Sequence, residues 1–508
     1  MSPHDFSMDT VFRANAVLHS GREAVVDGTQ RLTYAELDQR VDRLAHWLLA
    51  KGIAPGDRIA LLLTDGAPYV TALLACGRIG ATATLLNWRL APAELTWICS
   101  NAEPAMTLVN PRFDALLAGN DHTGEVISVD EAHDADGAFE AITAHDQTAL
   151  AFPDLPEKRA LYMMYTSGTT GKPKGCMQSG SAVASSALGT SVRRGWGPDE
   201  RLLSINPMFH VVGMQQVAAM LACGGTCVFA GRDDDSAAVL DLVHREACTT
   251  TSAFPTIAFP WFEMDAVRDG VMPLTNYTGG AGMNPAIYAG IEEHWDCRVV
   301  GGYGQTEICG FATFMDYPDM IANPKSFGWP MQHITMTVLD PDGNELPPGE
   351  EGEICLRGPS VMMGYWRNEA ASEAALGHSW LRTGDLGTMD ERGLGYLLGR
   401  AKELIKTGGE NVYPAEVDAI FAAMPEVADA GCAGVPDKKW GEAVKAFVVL
   451  APGAELSREE ISARFKDQIA GYKRPRYIEF VDTLPRDPIG KLQRLELSQR
   501  PVTPDQAA

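Results

Sequence analysis

Through the first half of the chain, short and continuously apolar runs alternate with segments of helical periodicity, and no other feature narrows the fold as much. Thr33 and Glu36 have capping-box spacing. Leu37, Val41, Leu44, Ala45 and Leu48 then recur on one helical face until Gly52 stops the helix. Residues 58–63, 81–86 and 105–109 read as buried strands, with a helix over 68–76 between the first two. The rhythm returns after residue 200 with a strand near 202–205, a helix after Val211, a strand over 226–229 and a helix from Ser236. Asn284-Pro285 reads as an N-cap followed by proline at the first helical position. Such alternation predicts α/β layers with largely parallel sheets.

From about Ile334 the pattern changes to short strands and turns such as Asp340-Pro341-Asp342-Gly343, which predicts a smaller β-rich subdomain. After Gly399-Arg400 the chain starts again. It runs through strands, a helix over 415–423, strands near Val427 and Val444, a helix from Ser457 and a strand over 477–481. About 100 residues suffice for an independent small domain. The expected fold class is therefore α/β: a large N-terminal domain of layered α/β subdomains plus a β-rich subdomain over 1–400, followed by a small α+β domain over 401–508.

Composition serves mainly to exclude. A formal charge of −24 argues against a nucleic-acid or anionic-membrane partner. From Glu403 onward, however, 14 Lys/Arg face 17 Asp/Glu, so the C-terminal region is nearly balanced and can carry a local basic site. The 10 cysteines are scattered through apolar runs without metal-site spacing, as expected of reduced thiols in a cytoplasmic enzyme. No signal peptide is recognised, and no apolar run reaches the roughly 18 residues of a membrane span.

Chemistry is concentrated in a few motifs. Thr166-Ser167-Gly168-Thr169-Thr170-Gly171-Lys172, continued by Lys174 and Gly175, gathers glycines, hydroxyls and lysines. Glycines let backbone N–H groups approach a phosphate, hydroxyls donate hydrogen bonds and lysines offset charge. The same composition also suits a flexible linker, and the spacing is not that of a Walker A loop. Further along stand Gly302-Tyr303-Gly304-Gln305-Thr306-Glu307, Thr383-Gly384-Asp385 and Gly399-Arg400-Ala401-Lys402-Glu403. These are followed by Gly408-Gly409-Glu410-Asn411-Val412-Tyr413-Pro414 and Pro485-Arg486-Asp487-Pro488-Ile489-Gly490-Lys491. In this order, and over nearly the whole chain, the motifs resemble those of the adenylate-forming (ANL) superfamily, and within it the acyl-CoA synthetases or AMP-dependent CoA ligases.

The resemblance implies ATP, Mg²⁺ and coenzyme A as the cofactor and co-substrates, and a small-molecule carboxylic acid as the partner. It implies that the 166–172 loop holds the β- and γ-phosphates and that Glu307, with Thr166, contacts Mg²⁺. Tyr303 with Gly279, Gly280, Ala281 and Gly282 would enclose adenine, flanked by Gly302, Gly304, Gln305 and Thr306. Asp385 would accept hydrogen bonds from the ribose hydroxyls and Arg400 would support the sugar. Lys491 would bridge carboxylate and phosphate, offsetting charge that builds in the transition state. The family uses one site for two half-reactions by swinging its C-terminal domain, and Lys402 aligns with its hinge. Gly408 and Gly409 would pass the pantetheine arm, and Trp440 would wall its tunnel.

Tyr472, Lys473, Arg474 and Arg476 form a basic patch suited to CoA phosphates, or equally to a solvated face. His210 resembles the family's aromatic gate. Val211, Val212, Met214, Phe254, Ile308 and Phe311 are the expected apolar sides of the acid pocket. One departure stands out: many relatives carry a histidine shortly after the phosphate loop, where this chain has Gln178-Ser179-Gly180.

The expected activity is ATP-dependent conversion of a fatty or arylalkanoic acid to acyl-AMP and pyrophosphate, then transfer to CoA. Alternatives are an aryl (cinnamate- or benzoate-type) CoA ligase, transfer to a carrier protein, a luciferase-like oxygenase, or a binding module with its chemistry lost. An intact Lys491, Glu307 and phosphate loop weigh against the last. A homodimer is compatible with the sequence.

Overall fold

A computed structural model describes residues 6–130, 138–144, 151–153, 155, 159–166, 172–252, 260–261, 264, 272–280, 290–291, 293, 295–323, 326–407, 410–466, 468–486, 490, 492–503 and 506. The chain divides into two compact units: 1–337 with 355–382 and 392–395, and 338–354 with 383–391 and 396–508.

The first unit is built on two sheets. One has seven strands in the order Gly364–Tyr365, Lys174–Ser179, Ala160–Thr166, Thr82–Leu85, Arg58–Leu62, Met106–Val109 and Glu125–Ser128. From Ala160–Thr166 onward all pairs are parallel. Thr82–Leu85 and Met106–Val109 are buried throughout, as expected for parallel strands covered on both faces. The covering helix Ala67–Ile79 is likewise buried at every position. The other sheet runs, in spatial order, from Gln30–Thr33 through Glu23–Asp27, Thr226–Phe229, Arg201–Ser204, Thr250–Thr251, Asn276–Gly280 and Arg298–Gln305. It continues antiparallel into Gly310–Asp316 and Ser326–Pro330.

Helix Tyr34–Ala50 shows why the local signals were readable. Thr33 Oγ1 accepts from Glu36 N–H at 3.2 Å, Glu36 Oε2 accepts from Thr33 N–H at 2.8 Å, and the apolar stripe from Leu37 to Leu48 is buried. Gly52, at φ +85°, follows the helix end.

In the second unit a five-stranded sheet includes Ile405–Thr407, Gly441–Leu450 and Val427–Asp437, with Tyr477–Phe480 joining in parallel. Helices Pro414–Ala422 and Arg458–Phe465 contribute Val417, Phe421, Ile461 and Phe465 to its core. In the predicted β-rich segment, Gly343 N–H donates to Asp340 C=O at 3.1 Å and closes the Asp340–Gly343 turn. The proposed N-cap at Asn284-Pro285 lies outside the described residues. Among the described residues, no helix is long and apolar enough to cross a membrane.

Candidate functional site

Thr166 closes one strand and Lys174 opens the next, and the two are direct antiparallel partners. The glycine-rich segment is thus the connection of a β-hairpin. Ser167, Gly168, Thr169, Thr170 and Gly171 lie outside the described residues. Lys172 is exposed, its ammonium 5.9 Å from the Trp97 ring, and Lys174 lies 4.9 Å from the Tyr365 ring. At Gly175 a Cβ would approach Met163 Sδ to 2.6 Å, so the two strands pack closely here.

The segments expected to flank adenine, separated in sequence, lie side by side. Parallel pairing sets Gly279 against Gly301 and Gly280 against Gly302; Ala281 and Gly282 lie outside the described residues. At Gly304 a Cβ would fall 1.8 Å from Gly310 O, and at Gly302 it would fall 2.6 Å from Phe311 Cδ1. These glycines are demanded by the hairpin itself. Tyr303 is buried, donates its N–H to Thr313 Oγ1 at 3.2 Å and holds its ring 4.7 Å from Phe327.

After Gln305 the chain tightens into the 3₁₀ turn Thr306–Ile308. Gln178 Nε2 donates to Thr306 C=O at 2.6 Å. The residue at the departure from the family pattern is therefore a buried tie between the glycine-rich hairpin and the Glu307 turn. Met362 N–H donates to Glu307 C=O at 2.9 Å, and the Tyr365 hydroxyl donates to Glu307 Oε1 at 2.7 Å. Nothing in the sequence pointed to Tyr365.

In the segment expected to face the acid, His210 caps helix Val211–Cys223, and its Nδ1 accepts from Val212 N–H at 3.3 Å. That bond requires the neutral ring with its proton on Nε2. Val211, Met214, Ile308 and Phe311 are buried, His210 and Val212 are half-buried, and Phe254 lies outside the described residues. Gln215 joins the helix to the motif: its Oε1 accepts from Phe311 N–H at 3.0 Å and its Nε2 donates to Ser186 Oγ at 2.7 Å. Ser186 Oγ donates in turn to Cys309 C=O at 2.8 Å.

The loop before His210 is anchored by Asp65, whose Oδ1 accepts from Met208 N–H at 2.8 Å. Asp65 keeps a little accessible surface, but the protein closes around it. That burial pushes its carboxyl up to about 7 despite the pull of the Met208 N–H and Arg89. A cavity of about 260 Å³ lies elsewhere, lined by Pro55, Arg58, Ala160, Met163, Met177 and Trp366. Its lining includes Met163 and Trp366, which also border Gly175 on the return strand of the hairpin.

In the second unit, Asp385 is buried and forms an ion pair with Arg400. Lys402 is exposed in the turn that follows, and Gly408 and Gly409 lie outside the described residues. Arg476 stacks 4.4 Å from the Trp440 ring and Lys439 lies 4.7 Å from it, which brings two of the predicted CoA residues together. Other members of the basic patch are engaged within the unit. Lys473 Nζ pairs with Glu416 at 2.6 Å, Arg474 Nε donates to Ile469 C=O at 3.1 Å, and Tyr472 packs on the core. Lys491 lies outside the described residues, but its flanks are pinned: Arg486 and Leu492 form an antiparallel bridge, and Arg486 NH1 donates to Gly490 C=O at 2.7 Å.

Comparison with known proteins covers nearly the whole chain. The AMP-binding enzyme family matches residues 12–366, and the AMP-binding enzyme C-terminal domain matches residues 416–491. The indoleacetate–CoA ligase of Aromatoleum aromaticum is 34% identical over 498 residues, covering 96% of each chain. The feruloyl-CoA synthase of an Amycolatopsis species is 34% identical over 508 residues, covering 98% of this chain and 96% of the relative. O-succinylbenzoate CoA synthetase (MenE) from Bacillus subtilis, solved with its acyl-adenylate intermediate, has a TM-score of 0.85 at 30% identity, over 97% of this chain and 98% of that one. The same enzyme solved with ATP and magnesium ion gives 0.83 at 29% identity, over 96% and 98%. With both regions matched and relatives aligned nearly end to end, the chain belongs to the AMP-binding enzyme family.

Proposed function

We propose that the enzyme activates an aromatic or arylalkanoic carboxylic acid with ATP and transfers the acyl group to coenzyme A. In the first step a carboxylate oxygen attacks the α-phosphorus, the bridge to the β-phosphate breaks, and pyrophosphate leaves. In the second the CoA thiol gives up its proton and attacks the acyl carbon, and the carbon–oxygen bond to AMP breaks.

The observation that carries this reading is a convergence of distant segments. Gly280 lies beside Gly302, and the turn that follows presents Glu307 to Tyr365, itself paired with the return strand of the glycine-rich hairpin. Residues 166–172 cradle the phosphates, Tyr303 and Gly280 flank adenine, and Asp385 with Arg400 holds the ribose. Among the described residues no three His, Cys, Asp or Glu side chains gather as a metal cage. Magnesium arriving with ATP needs none, because it takes phosphate oxygens and water alongside one or two carboxylates, and Glu307 suits that demand.

Lys491 offsets charge in the first step, and Lys402 is the pivot between the two steps. His210 and Val212 face the acid beside the apolar packing of Val211, Met214 and Phe311. Trp440 and Arg476 receive CoA, with Arg476 best suited because Lys473 and Arg474 are bonded inside the unit. The indole and cinnamate acids of the relatives support an aromatic substrate. Ten free thiols support a reducing, cytoplasmic setting.

The test is a panel of arylalkanoic, cinnamic, fatty and amino acids, scored by pyrophosphate release and then by CoA thioester mass. Turnover confined to fatty acids overturns the acid class. Adenylate formation without any CoA thioester overturns the acceptor.

A further inference from the structure

Glu307 is gripped twice by one short segment. Its carbonyl accepts from Met362 N–H, and its Oε1 accepts from the Tyr365 hydroxyl at 2.7 Å. Tyr365 is itself fixed in place. Its N–H donates to Ser372 Oγ at 2.8 Å, and its two-residue strand pairs with Met177 and Cys176. Gly364 takes φ +133°, a conformation that commits the backbone to this turn. The Lys174 ammonium, 4.9 Å from the phenol ring, favours polarisation of the hydroxyl toward the carboxylate.

A glutamate has three side-chain torsions, and fixing them costs rotamer entropy. A carboxylate already held at one oxygen has lost much of that freedom before any ligand arrives. Hydrogen-bond partners of metal-binding carboxylates typically contribute about 10–100-fold to metal affinity. We propose that Tyr365 is a positioning residue for MgATP: its hydroxyl fixes Oε1 of Glu307 and leaves Oε2 for the metal carried by the nucleotide. The inference rests on Glu307 being the metal contact.

Tyr365→Phe removes the hydroxyl and keeps the ring. Mn²⁺ binding is read by electron paramagnetic resonance in enzyme saturated with α,β-methylene-ATP, which cannot release pyrophosphate. Tyr365→Phe should weaken Mn²⁺ binding roughly tenfold and raise, by a similar factor, the free Mg²⁺ needed for half-maximal pyrophosphate release. Thioester formation from supplied acyl-adenylate should not change. Glu307→Gln should weaken Mn²⁺ binding as well, and the double variant should bind no more weakly than Glu307→Gln alone. Unchanged affinity in Tyr365→Phe beside weakened affinity in Glu307→Gln overturns the inference and leaves the metal assignment standing. Additive losses also overturn it, because Tyr365 then acts apart from Glu307. Unchanged affinity in Glu307→Gln removes the metal assignment, and the inference with it.

Discussion

Arg400 Nε stands 2.6 Å from Asp385 Oδ1, with the carboxylate side chain 3% exposed and the guanidinium 40%. The anion is thus held inside its unit while its partner keeps a face to solvent. An acceptor held this way is suited to two adjacent sugar hydroxyls.

Asp385→Asn exchanges a charged acceptor for a neutral amide. Hydrogen bonds to charged groups contribute about 1.5–3 kcal/mol, so KM for ATP should rise by roughly tenfold or more, measured by pyrophosphate release. With 2′-deoxy-ATP the gap between wild type and variant should narrow. An equal gap for both nucleotides would place Asp385 away from the ribose.

Lys491→Ala should nearly abolish acyl-adenylate formation and spare thioester formation from supplied acyl-adenylate. The charge it offsets develops only as pyrophosphate departs. Equal loss in both half-reactions would reduce this lysine to a structural role.

Asp65 gives a pH signature. Its carboxyl is raised from 3.8 to about 7, chiefly by burial and further by Asp27. Between those values the folded chain keeps a proton that the unfolded chain releases, so stability falls as pH rises through this window and levels off above it. Asp65→Asn keeps an acceptor for Met208 N–H and removes the titration. Thermal melts from pH 4.5 to 8, an interval chosen to span about the window set by linkage, should show a shallower decline in the variant. Parallel curves would mean that Asp65 ionises normally.

The acid pocket predicts a size trend. Each buried methylene contributes about 0.8 kcal/mol, or roughly a fourfold gain in kcat/KM, until the pocket is full. Acetate and α-amino acids should be poor substrates, the latter because nothing apolar compensates a desolvated ammonium. A preference for either would remove Val211, Val212, Met214, Ile308 and Phe311 from the acid site.

Local chemistry was legible in the sequence, and long-range pairing was not. The cap at Thr33 and Glu36 and the stripe from Leu37 to Leu48 are written within one helix, so its bounds could be read directly. The glycine-rich motif was recognisable, but its place as a hairpin connection depends on Thr166 meeting Lys174. Tyr365 and Glu307 are 58 positions apart, and neither residue type announces the other. The basic patch was legible as a cluster of cations, but their partners inside the unit were not: Glu416, which Lys473 engages, lies 57 positions upstream. Gln178 was noticed only as a departure from a pattern, and its bond to the Thr306 carbonyl needed the fold.

The Thr166–Lys174 pairing also limits how this lineage can vary. Along a strand, side chains alternate between faces, so a register slip of one residue turns every side chain over. An insertion or deletion taken up by the return strand would swing Gln178 away from Thr306 and Gly175 away from Met163. The return strand of this hairpin should therefore keep its length in descendants of this enzyme, with any insertion taken up outside the paired residues.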